Sequence, residues 1–221
     1  MGLLSEQDRQ TVEARLAGIS HSVTLLFFTQ TFGAPDSVLA AKQILDEVAS
    51  LNDRVTVEEV NVILDKERAA EFGVADIPAI AVLRDGSDTS IRFLGAPSGY
   101  EFMSLVDAVA LAGSDDSGLS PASKALLAAH VTSPTEIMVF VTPTCPHCPR
   151  AVTLAHRMAV ENPHIRATCV EATEFLDLSR QYRVTGVPKT VVNNAVEILG
   201  ALPEDAFIRA ALNLPEQQPG T

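Results

Sequence analysis

The chain is poor in positive charge, in aromatic residues and in cysteine. Sixteen Lys and Arg stand against 28 Asp and Glu, for a formal net charge of −12. Nucleic acids and anionic membrane surfaces recruit basic faces, so this balance argues against both as partners. There is no Trp, and aromatics make up only 5% of the chain. No apolar run approaches the length that spans a bilayer. Met1 to Asp8 lacks the basic region and long apolar core of a signal peptide. Glu6 also stands where N-myristoylation requires Ser or Thr. These absences make a cytoplasmic location the expectation.

Only three cysteines occur, Cys145, Cys148 and Cys169. In a reducing cytosol so few thiols are no disulfide scaffold, and a close pair points to catalysis or metal binding. A zinc or copper site needs more ligands than the neighbouring Cys169 and His147 supply, so no metal is expected.

Against these shortages, 47% of the 221 residues are hydrophobic, enough for packed cores in two small domains. The most informative stretch is Thr142-Pro143-Thr144-Cys145-Pro146-His147-Cys148-Pro149. It follows the apolar run Ile137 to Val141 and precedes an amphipathic stretch, Arg150 to Val160. Strand, tight turn with two thiols, helix: that order puts Cys145 at a helix N-terminus. Free backbone N–H groups and the helix dipole there favour thiolate over thiol. A thiolate attacks disulfides, and Cys148 is near enough to resolve the mixed disulfide. His147, between the thiols, reads either as an exposed turn residue or, with Pro146, as a tuning residue. A partly cationic imidazole would favour the thiolate and raise the reduction potential. The remaining histidines, His21, His130, His156 and His164, show no ligand spacing and are expected on exposed helices or loops.

The pattern of elements occurs twice. In the first half Ser5 and Asp8 suggest a capped helix, Val23 to Phe28 a buried strand, and Asp36 or Ser37 the start of a second helix. Val55 to Val60 alternates as a strand, Glu67 to Phe72 forms a short helix, and Ile77-Pro78 opens a strand ended by Asp85-Gly86. Ile91 to Leu94 and Tyr100 to Leu111 complete the half as strand and helix. Ala112 to Gly118 is small, acidic and aperiodic, and reads as a linker. From Ser120-Pro121 the order repeats: strand 137–142, helix 149–161, strand 165–171, helix 175–182, Val187-Pro188, strand 196–199 and helix 204–213. Pro215 to Thr221 is expected to fray.

Phe27 aligns with Phe140, and Phe32 with Cys145, at one constant offset. Pro78 aligns with Pro188, and Gly95-Ala96 with Gly200-Ala201. The expected division is therefore 1–113, a linker at 114–119, and 120–221. The first half holds no thiol and cannot exchange disulfides.

The Cys145–Pro149 motif, Val187-Pro188, then Gly200-Ala201-Leu202 with Phe207 and Leu212 resembles the thioredoxin superfamily. With the tandem repeat, it looks most like the glutaredoxin-like protein disulfide oxidoreductases built from two thioredoxin-like folds. The resemblance implies an α/β architecture, with a central mixed β-sheet flanked by helices in each unit. It also implies an exposed Cys145 nucleophile, a buried resolving Cys148, and a cis Val187-Pro188 bond. Thr144, Val187 and Pro188 would line the surface that takes an extended peptide. Pro78 is expected to be cis for fold geometry alone.

Many members carry a CxxC in both halves; this chain has one. That arrangement is similar to the N-terminal module of the flavoprotein component of alkyl hydroperoxide reductases. The chain has no Gly-rich dinucleotide fingerprint, so serving a peroxidase would require a separate reductase. The expected function is thiol–disulfide exchange with disulfide-containing protein substrates, with no bound cofactor. The alternatives are a dedicated electron shuttle to a peroxidase-type partner, or a non-enzymatic peptide-binding scaffold using Phe32, Phe28 and Ile77. Phe32 is expected to be core filling.

Two further residues stay in view. Cys169 lies on a core strand and reads as a small buried hydrophobe. Glu171, two positions on, shares its strand face and is a candidate proton acceptor for Cys148. No acid precedes the first cysteine on its own strand, which reads Met138-Val139-Phe140.

Overall fold

The structure is a computed structural model, described over residues 4–215. Each half runs helix, then βαβαββα, in the order the repeat implies. In the first half these are α1 Glu6–Leu16, β1 Val23–Thr29, α2 Ser37–Ala49, β2 Val55–Asn61, α3 Lys66–Glu71, β3 Ala79–Arg84, β4 Ser87–Leu94 and α4 Glu101–Ala112. In the second they are α5 Pro121–His130, β5 Thr135–Val141, α6 Cys148–Glu161, β6 Ile165–Glu171, α7 Leu176–Gln181, β7 Lys189–Val192, β8 Val196–Leu199 and α8 Glu204–Ala211. The fraying expected of the tail falls, beyond Pro215, outside the described residues.

Local chemistry sets the boundaries. Ser5 caps α1 by accepting from the Asp8 N–H, and Ser120 caps α5 from the Ser123 N–H, with Pro121 in the first turn. Asp85 and Gly86 both take positive φ, +48° and +79°, and turn β3 tightly into β4. The linker is tied down: Arg84 donates to the carbonyls of Leu111, Ala112 and Ser114, and Leu119 is buried.

The sheet exceeds a simple doubling. Its eight strands form one continuous sheet, ordered β2-β1-β3-β4-β6-β5-β7-β8. The halves join where β4 pairs in parallel with β6, Phe93 beside Cys169 and Leu94 beside Val170. Two separate sheets would each have left an open edge there, and an open edge invites other strands. Alternation along the strands then divides the core. Val23, Leu25 and Phe27 of β1, with Ile137, Val139 and Val141 of β5, face one continuous cluster spanning both halves. The opposite face carries two smaller clusters. One holds Leu26, Phe28 and Phe72; the other holds Phe140 and Val170. No helix among the described residues is long and apolar enough to cross a membrane.

Candidate redox site

β5 ends at Val141 and α6 begins at Cys148, so the two thiol positions occupy a short connection. The Cys145 N–H donates to the Thr142 carbonyl at 3.1 Å and the Cys148 N–H to the Cys145 carbonyl at 3.4 Å, which curls the loop into the helix. Pro149 in the first turn removes an N–H that would have had no intrahelical partner. Cys145 and Cys148 are joined as a disulfide, with Cα atoms 5.5 Å apart. Cys148 is 0% exposed and Cys145 8%. Cys145 is thus the more exposed of the two residues, yet it is less open than the resemblance implied, because the loop lies against the continuous core. Pro146 and His147 are exposed beside it, as is Thr144.

Val187-Pro188 and Ile77-Pro78 are both cis. Val187 is half-buried and packs on the cluster that contains both cysteines. Gly200 N–H donates to the Pro188 carbonyl and Gly95 N–H to the Pro78 carbonyl, each at 2.9 Å, so the repeat extends to this bond.

The first half braces the redox loop. Tyr100 N–H donates to the Pro143 carbonyl at 2.9 Å. Gly99 has φ +59°, and a Cβ there would overlap the Pro143 carbonyl, 2.8 Å from its carbon. Only glycine allows this approach. Glu101, two residues on, opens α4 and is buried. Its Oε2 accepts from Ser104 Oγ at 2.6 Å and from the Cys169 thiol at 3.7 Å, while Oε1 is buried without a partner among the described residues. Burial raises its pKa to about 7, against the pull of those two donors. The Cys169 thiol is pushed well up by burial and by the facing Glu101.

The sequence reading missed Glu101, since an acid in a first turn is ordinary. A signal was present: Glu101 sits in the stripe Leu105, Ala108 and Ala112, where a carboxylate is out of place. Glu171 is buried, but its oxygens accept from Thr173 Oγ1, the Thr173 N–H and the Glu174 N–H, holding the turn after β6. Two expectations are corrected. His156 is buried, not exposed: α6 presses it edge-on against Phe93 of β4, ring centroids 5.1 Å apart. Its Nε2 has no hydrogen-bond partner among the described residues, and burial lowers its pKa to about 3. Phe32 is 89% exposed and fills no core.

Comparison with known proteins agrees with this geometry. Residues 135–213 match the thioredoxin domain family. The chain is 30% identical over 154 residues to the alkyl hydroperoxide reductase protein AhpF of Escherichia coli (strain K12), covering 69% of this chain and 27% of that protein. It thus spans about a quarter of that relative's length. Among solved structures, the NTD_N/C domain of alkylhydroperoxide reductase AhpF from Enterococcus faecalis superposes with a TM-score of 0.88 at 29% identity, covering 94% of this chain and 99% of that one. A protein disulfide oxidoreductase from Aeropyrum pernix gives 0.85 at 27% identity, covering 94% and 92%. With one CxxC disulfide at a strand-to-helix junction and two thioredoxin-like units in tandem, the chain belongs by its fold to the thioredoxin superfamily.

Proposed function

We propose that the chain carries electron pairs to a disulfide in a partner protein, and that a peroxidase-type partner is the one it serves. The observation that carries this is the asymmetry of the Cys145–Cys148 disulfide, one cysteine slightly exposed and the other fully buried. In the reduced chain the Cys145 thiolate attacks one sulfur of the partner's disulfide. That bond breaks, a mixed disulfide forms, and the partner's second sulfur leaves as a thiolate. Cys148 then attacks Cys145 Sγ, expels the partner as a dithiol, and leaves the disulfide seen here. A separate reductase, oxidised in turn, returns two electrons.

Cys148 must lose a proton to attack. Of the two buried carboxylates, Glu101 is the better acceptor: its pKa is raised to about 7 by burial and it follows Tyr100, which bonds to Pro143 before the redox loop, whereas Glu171 is engaged in its turn. Pro146 and His147 tune the pair, and Thr144, Val187 and Pro188 receive the partner's backbone. The division of labour falls at the 114–119 linker, with the thiols in 120–221 and the brace and carboxylate in 1–113. A reducing cytoplasm suits this cycle. Likeness to the alkyl hydroperoxide reductases supports the shuttle reading over general disulfide exchange.

The test is capture and turnover. Cys148→Ser should form a covalent adduct with its partner on non-reducing gels, and the wild-type chain should sustain peroxide reduction by a purified peroxiredoxin-type peroxidase. Efficient insulin reduction without peroxidase turnover would return the reading to general exchange. Full activity in Cys145→Ser would remove both.

A further inference from the structure

The thiol-free half retains the surroundings of a peptide site around a position that has lost its chemistry. Where the second half has Cys145, the first has Phe32, 89% exposed. Leu64, 84% exposed, and Ile63, 57% exposed, rise from the connection between β2 and α3. Ile63 lines a groove of about 540 Å³, and Phe32 and Leu64 adjoin its lining residues Gly33 and Ile63 in the chain. Gln30 and Gly33 bracket Phe32 in its lining, and Ile63, Val62 and Ile77 complete an apolar wall. Single exposed apolar side chains are commonplace; here one lines the groove and two adjoin its lining, and the Asn61 side-chain amide, donating to Thr31 Oγ1 at 3.0 Å, ties the two loops together.

The groove also offers backbone. Ile77 is half-buried, and β3 begins only at Ala79. No hydrogen bond among the described residues uses the Ile77 N–H or carbonyl. Val187 is left unpaired in the same way beside the redox cysteines. A free donor and acceptor on one residue at the start of a strand suit an added extended segment. The rim is acidic. Asp76 lines the groove, Asp36 and Asp65 adjoin the lining residues Pro35 and Lys66, and Lys66 is the cation set against them. None of the ion pairs within the described residues uses Asp36 or Asp76.

We propose that the first half binds, without covalent chemistry, an extended segment of a partner protein with apolar side chains flanked by Lys or Arg. The apolar residues cover Phe32, Ile63 and Leu64, the segment's backbone pairs with Ile77, and its cations meet the acidic rim. The same partner could then be held at one end while its disulfide is worked at the other, but this binding does not depend on the redox reading.

The experiment is fluorescence anisotropy on the full chain with two short, cysteine-free, fluorescein-labelled peptides. Both have a Leu-Phe-Val centre; one is flanked by Lys and one by Glu. The Lys-flanked peptide should bind at least about tenfold more tightly, and added salt should narrow that gap. A Phe32→Ser, Leu64→Ser double variant should weaken it about tenfold or more, with insulin reduction and the thermal melt unchanged. Absence of saturable binding, equal binding of the two peptides, or unaltered affinity in the double variant would overturn the proposal. So would a concentration-dependent dimer that the double variant abolishes, since a second copy of the chain would then be the occupant.

Discussion

At the end of β1 the chain reads Thr29-Gln30-Thr31-Phe32, and at the end of β5 Thr142-Pro143-Thr144-Cys145. The two stretches follow equivalent strands and precede equivalent helices, yet they end differently. α6 starts at Cys148 itself, whereas α2 starts at Ser37, past Pro35 at the matching place. Cys145 lies against the shared core, and Phe32 stands out in solvent. The cis X-Pro bonds and the Gly-to-Pro hydrogen bonds are nevertheless alike in both halves. The fold's frame therefore does not depend on the thiols. The first half, having none, supplies the second with a brace at Gly99 and Tyr100 and a buried carboxylate at Glu101. The disulfide belongs to one half but sits in a site that both halves build.

The sharpest way to break this comparison is at the sulfurs. Cys145→Ser should reduce insulin-disulfide reduction by at least about a thousandfold, to background, while Phe32→Ser leaves the rate within about twofold. Next comes the brace. Gly99→Ala puts a Cβ against the Pro143 carbonyl in a left-handed backbone conformation, and urea denaturation should register a loss of about 3 kcal/mol. A neutral result there would mean the halves touch without supporting each other.

The third effect is in pH, and the two buried titrating groups oppose one another. Glu101 binds its proton more tightly when folded. Its contribution is full below its ordinary value near 4.5 and is lost as pH rises through about 7. His156 releases its proton more readily when folded. Its contribution is full above 6.5 and is lost as pH falls toward about 3. Between those ordinary values the slopes partly cancel, each amounting to roughly 2 kcal/mol. Glu101→Gln should leave stability rising with pH across this window, and His156→Leu should leave it falling. Urea midpoints measured at several pH values read both slopes, and parallel profiles for the two variants would refute the opposition. The smallest effect belongs to the exposed patch: Phe32→Ser should change stability by less than about 0.5 kcal/mol, since it empties no core.

The elements and the redox pair were legible because their signals are local. The apolar run, the Cys-Pro-His-Cys spacing and the X-Pro dipeptides each occupy a few neighbouring residues, and the second copy of the pattern reinforces the first. His156 was misread because its helix has two sides to bury. It packs on β4, a strand of the other half, which no periodicity within α6 reveals. Glu101 escaped for a related reason, since its meaning comes from Cys169, distant in the chain, and from the bond its neighbour Tyr100 makes to Pro143. Phe32 was misjudged because hydrophobicity alone does not say whether a loop folds inward.

The amino-acid order alone determined the doubled pattern of strands and helices, the place of the two thiols at a strand-to-helix turn, and the loss of thiols from the first half. These follow from spacing, turn chemistry and composition, which act over a few residues. Tertiary structure alone decided that the halves share one sheet, that Glu101 meets Cys169, and that Cys145 keeps a little exposure while Cys148 has none. Those outcomes depend on which strand edges pair and which surfaces lose their water, and both are settled only when distant segments come together.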